Sequence, residues 1–159
     1  MVAPEKTNVM RMLEAACINY TAYGYDAADG RIDGVSVAEK IGKPLDMVFK
    51  TLLTIALGGE VIVFVLPVAA ELDLKKAARA GAVKNIEMAP LKDILKISGY
   101  VKGGCSPIGM KRLYRTFIDE NAILLETMVV SAGKIGSQIE IKPDDLLTLT
   151  EGCYADLCK

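Results

Sequence analysis

Apolar residues recur at helical spacing through the first stretch of the chain, at Val9, Met10, Leu13, Ala16 and Cys17, and predict a helix over 7–17 with Thr7 or Asn8 as its N-cap. "INYTAYGY" mixes β-branched and aromatic residues and reads as a strand, whereas "VSVAEKIG" reads as a short helix capped near Ser36 and stopped by Gly42, with Pro44 restarting a helical turn. The clearest pattern is "FKTLLTIALGGEVIVFVLP", two apolar β-rich runs joined at Gly58-Gly59, which predicts a hairpin buried on at least one face. After it come a helix in "ELDLKKAARAGA" ending at Gly81, a short strand in "NIEMA", and a helix in "PLKDILKISG" with Pro90 in its first turn and Gly99 past its end. "RLYRTFID", "ILLETMVVSAG" and "SQIEI" predict strands, and "KPDDLLTLTEG" a last helix with Pro143 near its start. Helices and strands alternate without a regular βαβ beat, and the hairpins imply antiparallel pairing, so the fold class expected is mixed α+β. No repeat, linker or low-complexity tract divides the chain, and residues 1–159 are expected to form one domain.

Composition narrows the chemistry more than the fold. Nineteen basic residues against twenty acidic ones leave a net charge of −1, which excludes a positive field over the whole surface and leaves room only for a local basic patch. The absence of histidine removes Ser-His-Asp and Cys-His nucleophilic machinery and the commonest transition-metal ligand. Cys17, Cys105, Cys153 and Cys158 show no C-x-x-C pairing and read as free thiols, so neither metal nor cofactor is expected. The charged opening "MVAPEKTNVMRML" lacks a signal-type apolar core and no run reaches the length of a membrane span, giving a cytoplasmic, membrane-free expectation.

Two glycine-bearing loops, "GGCSPIG" at 103–109 and "SAGKIG" at 131–136, flank apolar strands and could line one cleft. Lys102, Lys111 and Arg112 add positive charge beside the first, which reads either as an anion or oxyanion site or as a tight connection. Neither loop has the spacing of a phosphate-binding P-loop or of a dinucleotide fingerprint. Lys50 opens the strand "KTLLTIAL" and reads either as a strand-end lysine that reaches water or as a cation at a pocket mouth. Cys105 would need Lys102 or Lys111 to activate its thiol, and "DLKKAARA" is a solvated helix face or a minor phosphate contact.

In this order, "KTLL" at 50–53, "PVAAELDLKKAARAGAVKNIEMA" at 67–89, "SGYVKGGCSPIG" at 98–109 and "VSAGKIGSQIEI" at 130–141 resemble the YbaK/EbsC family of aminoacyl-tRNA deacylases, in particular its cysteinyl-tRNA(Pro) deacylase branch. The resemblance spans nearly the whole chain. It implies a mixed, largely antiparallel, barrel-like sheet with flanking helices, and a trans-editing hydrolase of mischarged tRNA, first Cys-tRNA(Pro) and second Cys-tRNA(Cys), with tRNA and prolyl-tRNA synthetase as partners. It implies Lys50 as the catalytic cation, and Tyr20, Thr51, Gly103, Gly104, Ser106, Pro107, Gly109, Ser131, Gly133 and Gln138 as substrate-binding residues. An aminoacyl ester is already activated, so orientation plus donors aimed at its carbonyl suffice for cleavage without histidine, and the substrate's own thiol is the nucleophile in that branch. Two positions depart from the pattern: Ala132-Gly133 stands where relatives often carry Gly-Gly, and Gln138 where they often carry an aspartate. A non-catalytic module holding an aminoacyl-adenosine, a nucleotide or a synthetase in the same pocket is the alternative function.

Overall fold

A computed structural model describes residues 2–159. Helix α1 (Asn8–Ala15) starts where the Thr7 hydroxyl accepts the Met10 N–H at 3.3 Å, buries Val9, Met10 and Leu13, and stops before Cys17, whose φ of 57° is left-handed. Strand β1 (Thr21–Gly24) follows, and then α2 (Gly34–Ile41), capped at its start by Asp33 and closed by Gly42 at φ 71°. The cap therefore lies three residues before the expected Ser36: the Asp33 carboxylate takes the Ser36 N–H at 3.1 Å. Pro44 opens a turn, with no helix after it.

Strands β2 (Phe49–Ala56) and β3 (Val61–Pro67) form the expected hairpin, with Phe49 opposite Pro67 and Ile55 opposite Val61. Both turn glycines have positive φ, 99° at Gly58 and 97° at Gly59, a conformation that a Cβ penalises. Then come α3 (Leu74–Ala80), β4 (Ile86–Met88), a 3₁₀ turn leading into α4 (Ile94–Ser98), β5 (Arg115–Asp119), β6 (Met128–Lys134), β7 (Ser137–Ile141), α5 (Pro143–Thr150) and β8 (Cys153–Ala155). Residues 123–124, expected in a strand, belong instead to a 3₁₀ turn over 120–124, where the buried Asp119 carboxylate accepts the Asn121 N–H. Among the described residues no helix is long and apolar enough to cross a membrane.

The strands make two sheets, β1-β7-β6 and β4-β2-β3-β5-β8. Most pairs are antiparallel, as the hairpins imply, but β3 with β5 and β5 with β8 run parallel. Strand β3 is the centre of the larger sheet and is buried on both faces. Ile62, Phe64 and Leu66 pack with Ala77, Phe117 and Leu157, while Val63 and Val65 pack with Leu53, Ile118, Met128, Val130 and Ile139. This explains why its sequence is apolar throughout and does not alternate.

The sheets do not close into a barrel, and the reason positions the site. Even-numbered residues of β2 bond to β3, as Ala56 does to Glu60 and Val48 to Val68 (each 2.8 Å), so odd-numbered residues turn their N–H and C=O outward. Outward of β2, among the described residues, β4 pairs with Thr54–Ala56, and the small sheet is joined to the ladder by the Val48–Val129 bridge just before β2. The Leu53 carbonyl takes the Ala89 N–H at 2.9 Å and the Met47 carbonyl takes the Val129 N–H at 2.8 Å. Between them Phe49 and Thr51 present backbone donors and acceptors to a gap in the ladder.

Candidate functional site

That gap is the edge of a cavity of about 780 Å³, the volume of a small-molecule site. Val48 and residues 49–53 of β2 run along one side, and Ser131 and Gln138, direct cross-strand partners on β6 and β7, close the back. Asp33, Gly34 and Val37 at the start of α2, together with Val68, form another side. Met88, Ala89, Leu91, Ile94, Lys102, Gly103 and Cys105 form the wall facing them.

Lys50 is held from behind. Its ammonium donates to the Ala70 carbonyl at 2.6 Å and to the Val68 carbonyl at 3.4 Å, in the turn that follows β3. An ammonium has three donors, so one remains for the cavity. Burial holds the Lys50 pKa below the ordinary lysine value, the signature of a cation kept out of bulk water. Position 34 abuts the same turn: a Cβ on Gly34 would stand 2.4 Å from Val68 Cγ1, which leaves no space for any other residue without moving Val68.

Glycine closeness also joins the two loops. A Cβ at Gly104 would lie 3.0 Å from the Ile135 backbone nitrogen and 3.2 Å from the Lys134 carbonyl carbon. The Ser131 hydroxyl ties the contact, donating to the Gly104 carbonyl at 2.9 Å and accepting the Gly133 N–H at 3.2 Å. Gly103 needs its glycine twice over, with φ 88° and Ile32 Cδ1 at 2.7 Å from a would-be Cβ. Among the described residues the N–H groups of Gly103 and Cys105 make no backbone hydrogen bond, whereas that of Gly104 is spent on the Val101 carbonyl at 3.0 Å.

Of the residues expected to bind substrate, the structure brings Lys50, Thr51, Gly103, Ser131 and Gln138 around one cavity. Gln138 is only 6% exposed, and among the described residues its side-chain amide has no hydrogen-bond partner, so the cavity is where its donor and acceptor are left open. The remaining six do not line it. Gly104 is sealed behind the loop contact. Ser106 and Pro107 are buried as scaffold, Ser106 accepting the Ile108 N–H at 3.2 Å. Gly109 and Gly133 both pack on Tyr100, whose ring lies between the two glycine turns and whose hydroxyl donates to the Ile108 carbonyl. Tyr20 sits in a separate shallow hollow with Glu14, Cys17, Ile18 and Asn19, its hydroxyl given to Glu14 at 2.6 Å.

Asp33, Gly34, Val68 and Ala70 were not expected at the site. Asp33 had a legible signal, since Asp-x-x-Ser is an N-cap pattern; the carbonyls of Val68 and Ala70 had none. Among the described residues Asp33 is the one carboxylate lining the cavity, and it is bonded to Ser36, whose side chain and N–H hold its pKa below the usual carboxylate range. Burial pushes the Cys105 thiol up to about 11, so at neutral pH it is a protonated, poor nucleophile. The cavity thus offers a cation, one carboxylate bonded to Ser36, backbone N–H groups and neutral dipoles. Among the described residues its lining offers no activated nucleophile.

Comparison with known proteins follows the same lines. Residues 33–149 match the family model described as the aminoacyl-tRNA editing domain. Over 153 residues the chain is 42% identical to EbsC of Enterococcus faecalis, provisionally named a Cys-tRNA(Pro)/Cys-tRNA(Cys) deacylase, covering 96% of this chain and 93% of that protein. It is 28% identical over 123 residues to the uncharacterised YwhH of Bacillus subtilis, covering 77% and 78% of the two chains. A solved structure described as a provisional trans-editing enzyme for prolyl tRNA synthetase superposes with a TM-score of 0.81 at 20% identity, over 98% of this chain and 99% of that one.

Proposed function

This chain belongs to the aminoacyl-tRNA editing domain family, and from that premise we propose that it is a trans-acting deacylase that clears cysteine from mischarged tRNA, foremost Cys-tRNA(Pro) and also Cys-tRNA(Cys). One observation carries the reading: a lysine ammonium, fixed by two carbonyls and partly desolvated, shares a cavity with unpartnered N–H groups, and among the described residues that cavity is lined by no activated nucleophile. Such a site suits an ester that supplies its own attacking group. The substrate sulfur forms a bond to the carbonyl carbon, and negative charge collects on the carbonyl oxygen. The bond to the ribose oxygen then breaks, leaving a cysteine β-thiolactone and free tRNA, with the thiol proton ending on the ribose hydroxyl.

Lys50 is the catalytic residue in this scheme, because its third N–H meets the developing oxyanion with the N–H groups of Gly103 and Cys105 beside it. Donors already fixed before the reaction need no reorganisation when charge appears. The outward carbonyl of Thr51 and the free amide of Gln138 receive the substrate's ammonium, with Ser131 behind them holding the loop in place. Without a carboxylate at position 138 that grip is dipolar, and it favours a small amino acid held by shape and orientation over one held by charge. The partner is the aminoacyl end of tRNA, the place of action is the cytoplasm, and prolyl-tRNA synthetase is the source of the mischarged substrate.

A panel of Cys-tRNA(Pro), Cys-tRNA(Cys) and Ala-tRNA(Pro) incubated with the purified protein tests this directly. Cysteine should leave both of its tRNAs as the thiolactone, and alanine should leave more slowly because it has no thiol. Intact Cys-tRNA(Pro) under single-turnover conditions, with tight binding of a non-hydrolysable aminoacyl-adenosine, overturns the enzyme in favour of a binding module.

A further inference from the structure

The charge of this protein is nearly balanced overall and sharply unbalanced beside the cavity. Of its nineteen lysines and arginines, eight pair with carboxylates and Lys50 is held by carbonyls. Among the described residues, five of the ten unpaired cations fall between positions 92 and 112: Lys92, Lys96, Lys102, Lys111 and Arg112, all exposed. Asp93 is the only carboxylate in that stretch, which therefore carries a net charge of +4 in a chain of net −1.

The stretch is also the loop wall of the cavity, contributing Ile94, Lys102, Gly103 and Cys105 to its lining. Lys92 and Lys96 lie one turn apart, so their side chains share a face of the 3₁₀ and α4 segment. Lys111 stands at the end of that segment: its N–H donates to the Ser98 carbonyl at 3.2 Å and its side chain lies over Gly99. Lys102 stands at the cavity itself. The rim it meets through the contact of Gly103 with Ile32 stays acidic after its own ion pairs are counted: Arg31 pairs with Glu39 and Lys40 with Asp29, which among the described residues leaves Asp26 and Asp33 without a cation.

Resting on the deacylase reading above, we propose that the 92–112 rim is the phosphate-binding surface for the tRNA arm whose aminoacyl end enters the cavity, and that the acidic 26–33 rim turns the backbone away from the α2 side. Unpaired lysines cost no broken ion pair when they meet phosphate, and each neutralised phosphate releases counterions, so binding here is strongly salt-dependent. RNA is favoured over a protein partner by the concentration of unpaired cations around a single carboxylate. The surface fixes where the polymer lies, while the cavity reads only its end.

The test compares the wild type with the triple variant Lys92→Glu/Lys96→Glu/Lys111→Glu and with a control triple, Lys75→Glu/Arg79→Glu/Lys84→Glu, which removes the same charge from unpaired cations of the 75–84 stretch. Affinity for uncharged tRNA(Pro) is read by filter binding across a salt series, and hydrolysis is read on Cys-tRNA(Pro) and on cysteinyl-adenosine, which has no phosphate. The rim variant should lose at least about tenfold in tRNA affinity and about 2 to 3 from the log–log salt slope, while cysteinyl-adenosine turnover and the control triple stay at wild-type values. Equal loss in both triples, or an unchanged slope in the rim variant, overturns the proposal. Loss of activity only when prolyl-tRNA synthetase is present, with tRNA affinity intact, assigns the rim to a protein and likewise overturns it. Wild type that binds tRNA through this rim yet hydrolyses neither ester refutes the deacylase reading and leaves the surface standing.

Discussion

On the sheet wall of the cavity, every candidate group is fixed by a ladder position. Lys50 and Thr51 are consecutive on β2, Ser131 and Gln138 are cross-strand partners on β6 and β7, and the Lys50 ammonium is tied to carbonyls beyond the next strand. The loop wall opposite is built from a 3₁₀ turn, a five-residue helix and positive-φ glycines, and it carries exposed, unpaired cations and Leu91 at 65% exposure. Groups that must meet one atom in one place sit on the element whose neighbours hold it on both sides, and groups that meet a long polyanion sit on the element that can adjust. The two walls meet where Ser131 bonds to Gly104, so the fixed wall also sets the position of the adjustable one.

Breaking the sheet wall should have the largest effect. Lys50→Ala removes the cation and is expected to lower deacylation by about 10²–10³-fold, as loss of one oxyanion donor does, with the thermal midpoint little changed. Raising the pH neutralises the same side chain. Because burial depresses its pKa, kcat/KM should fall through a point below the ordinary lysine value of 10.5, after subtraction of uncatalysed ester hydrolysis. The folded protein holds that proton less tightly than the unfolded chain, so this group's contribution to stability rises with pH across the same window. Activity and stability should therefore move in opposite directions there, and a flat rate profile up to 10.5 breaks the assignment.

A subtler test reaches the sheet wall from outside it. Gly34→Ala forces a Cβ toward Val68 and so displaces the carbonyls that aim Lys50, which should cost roughly tenfold in kcat/KM while tRNA affinity holds. Adding Val68→Gly removes both clashing carbons, Cγ1 at 2.4 Å and Cβ at 2.6 Å, and should restore most of the rate; failure of that rescue would show that the turn does not position Lys50. Ser131→Ala cuts the tie between the walls and should cost about 1 kcal/mol of stability by chemical denaturation, with a smaller loss of rate. Cys105→Ser should leave turnover unchanged, because a thiol raised to about 11 takes no part as nucleophile; a dead serine variant would move the chemistry to the loop wall.

Much of this molecule is legible along the chain. The β2–β3 hairpin declares itself through two apolar runs around Gly58-Gly59, and α1 and α5 through apolar spacing with Thr7 and Pro143 at their starts. The motif order singled out Lys50 and both glycine loops, but it treated "GGCSPIG" as one lining segment, and the structure divides it. Gly103 and Cys105 face the cavity while Ser106, Pro107 and Gly109 brace it from behind, the last against Met12 of α1. Residues one or two apart take opposite duties because side-chain direction within an irregular loop is set by what packs around it. No periodicity encodes that choice.

Local chemistry was enough to determine most of the elements and the residue types available for catalysis, since each depends on neighbours within a few positions; it misplaced the α2 cap, put 123–124 in a strand and left out β8. The tertiary fold alone decided that β5 and β8 run parallel to β3, that the ladder breaks at Phe49 and Thr51, and that the carbonyls of Val68 and Ala70 seize Lys50. Those features rest on backbone groups, which every residue carries alike, brought together from segments far apart in the chain.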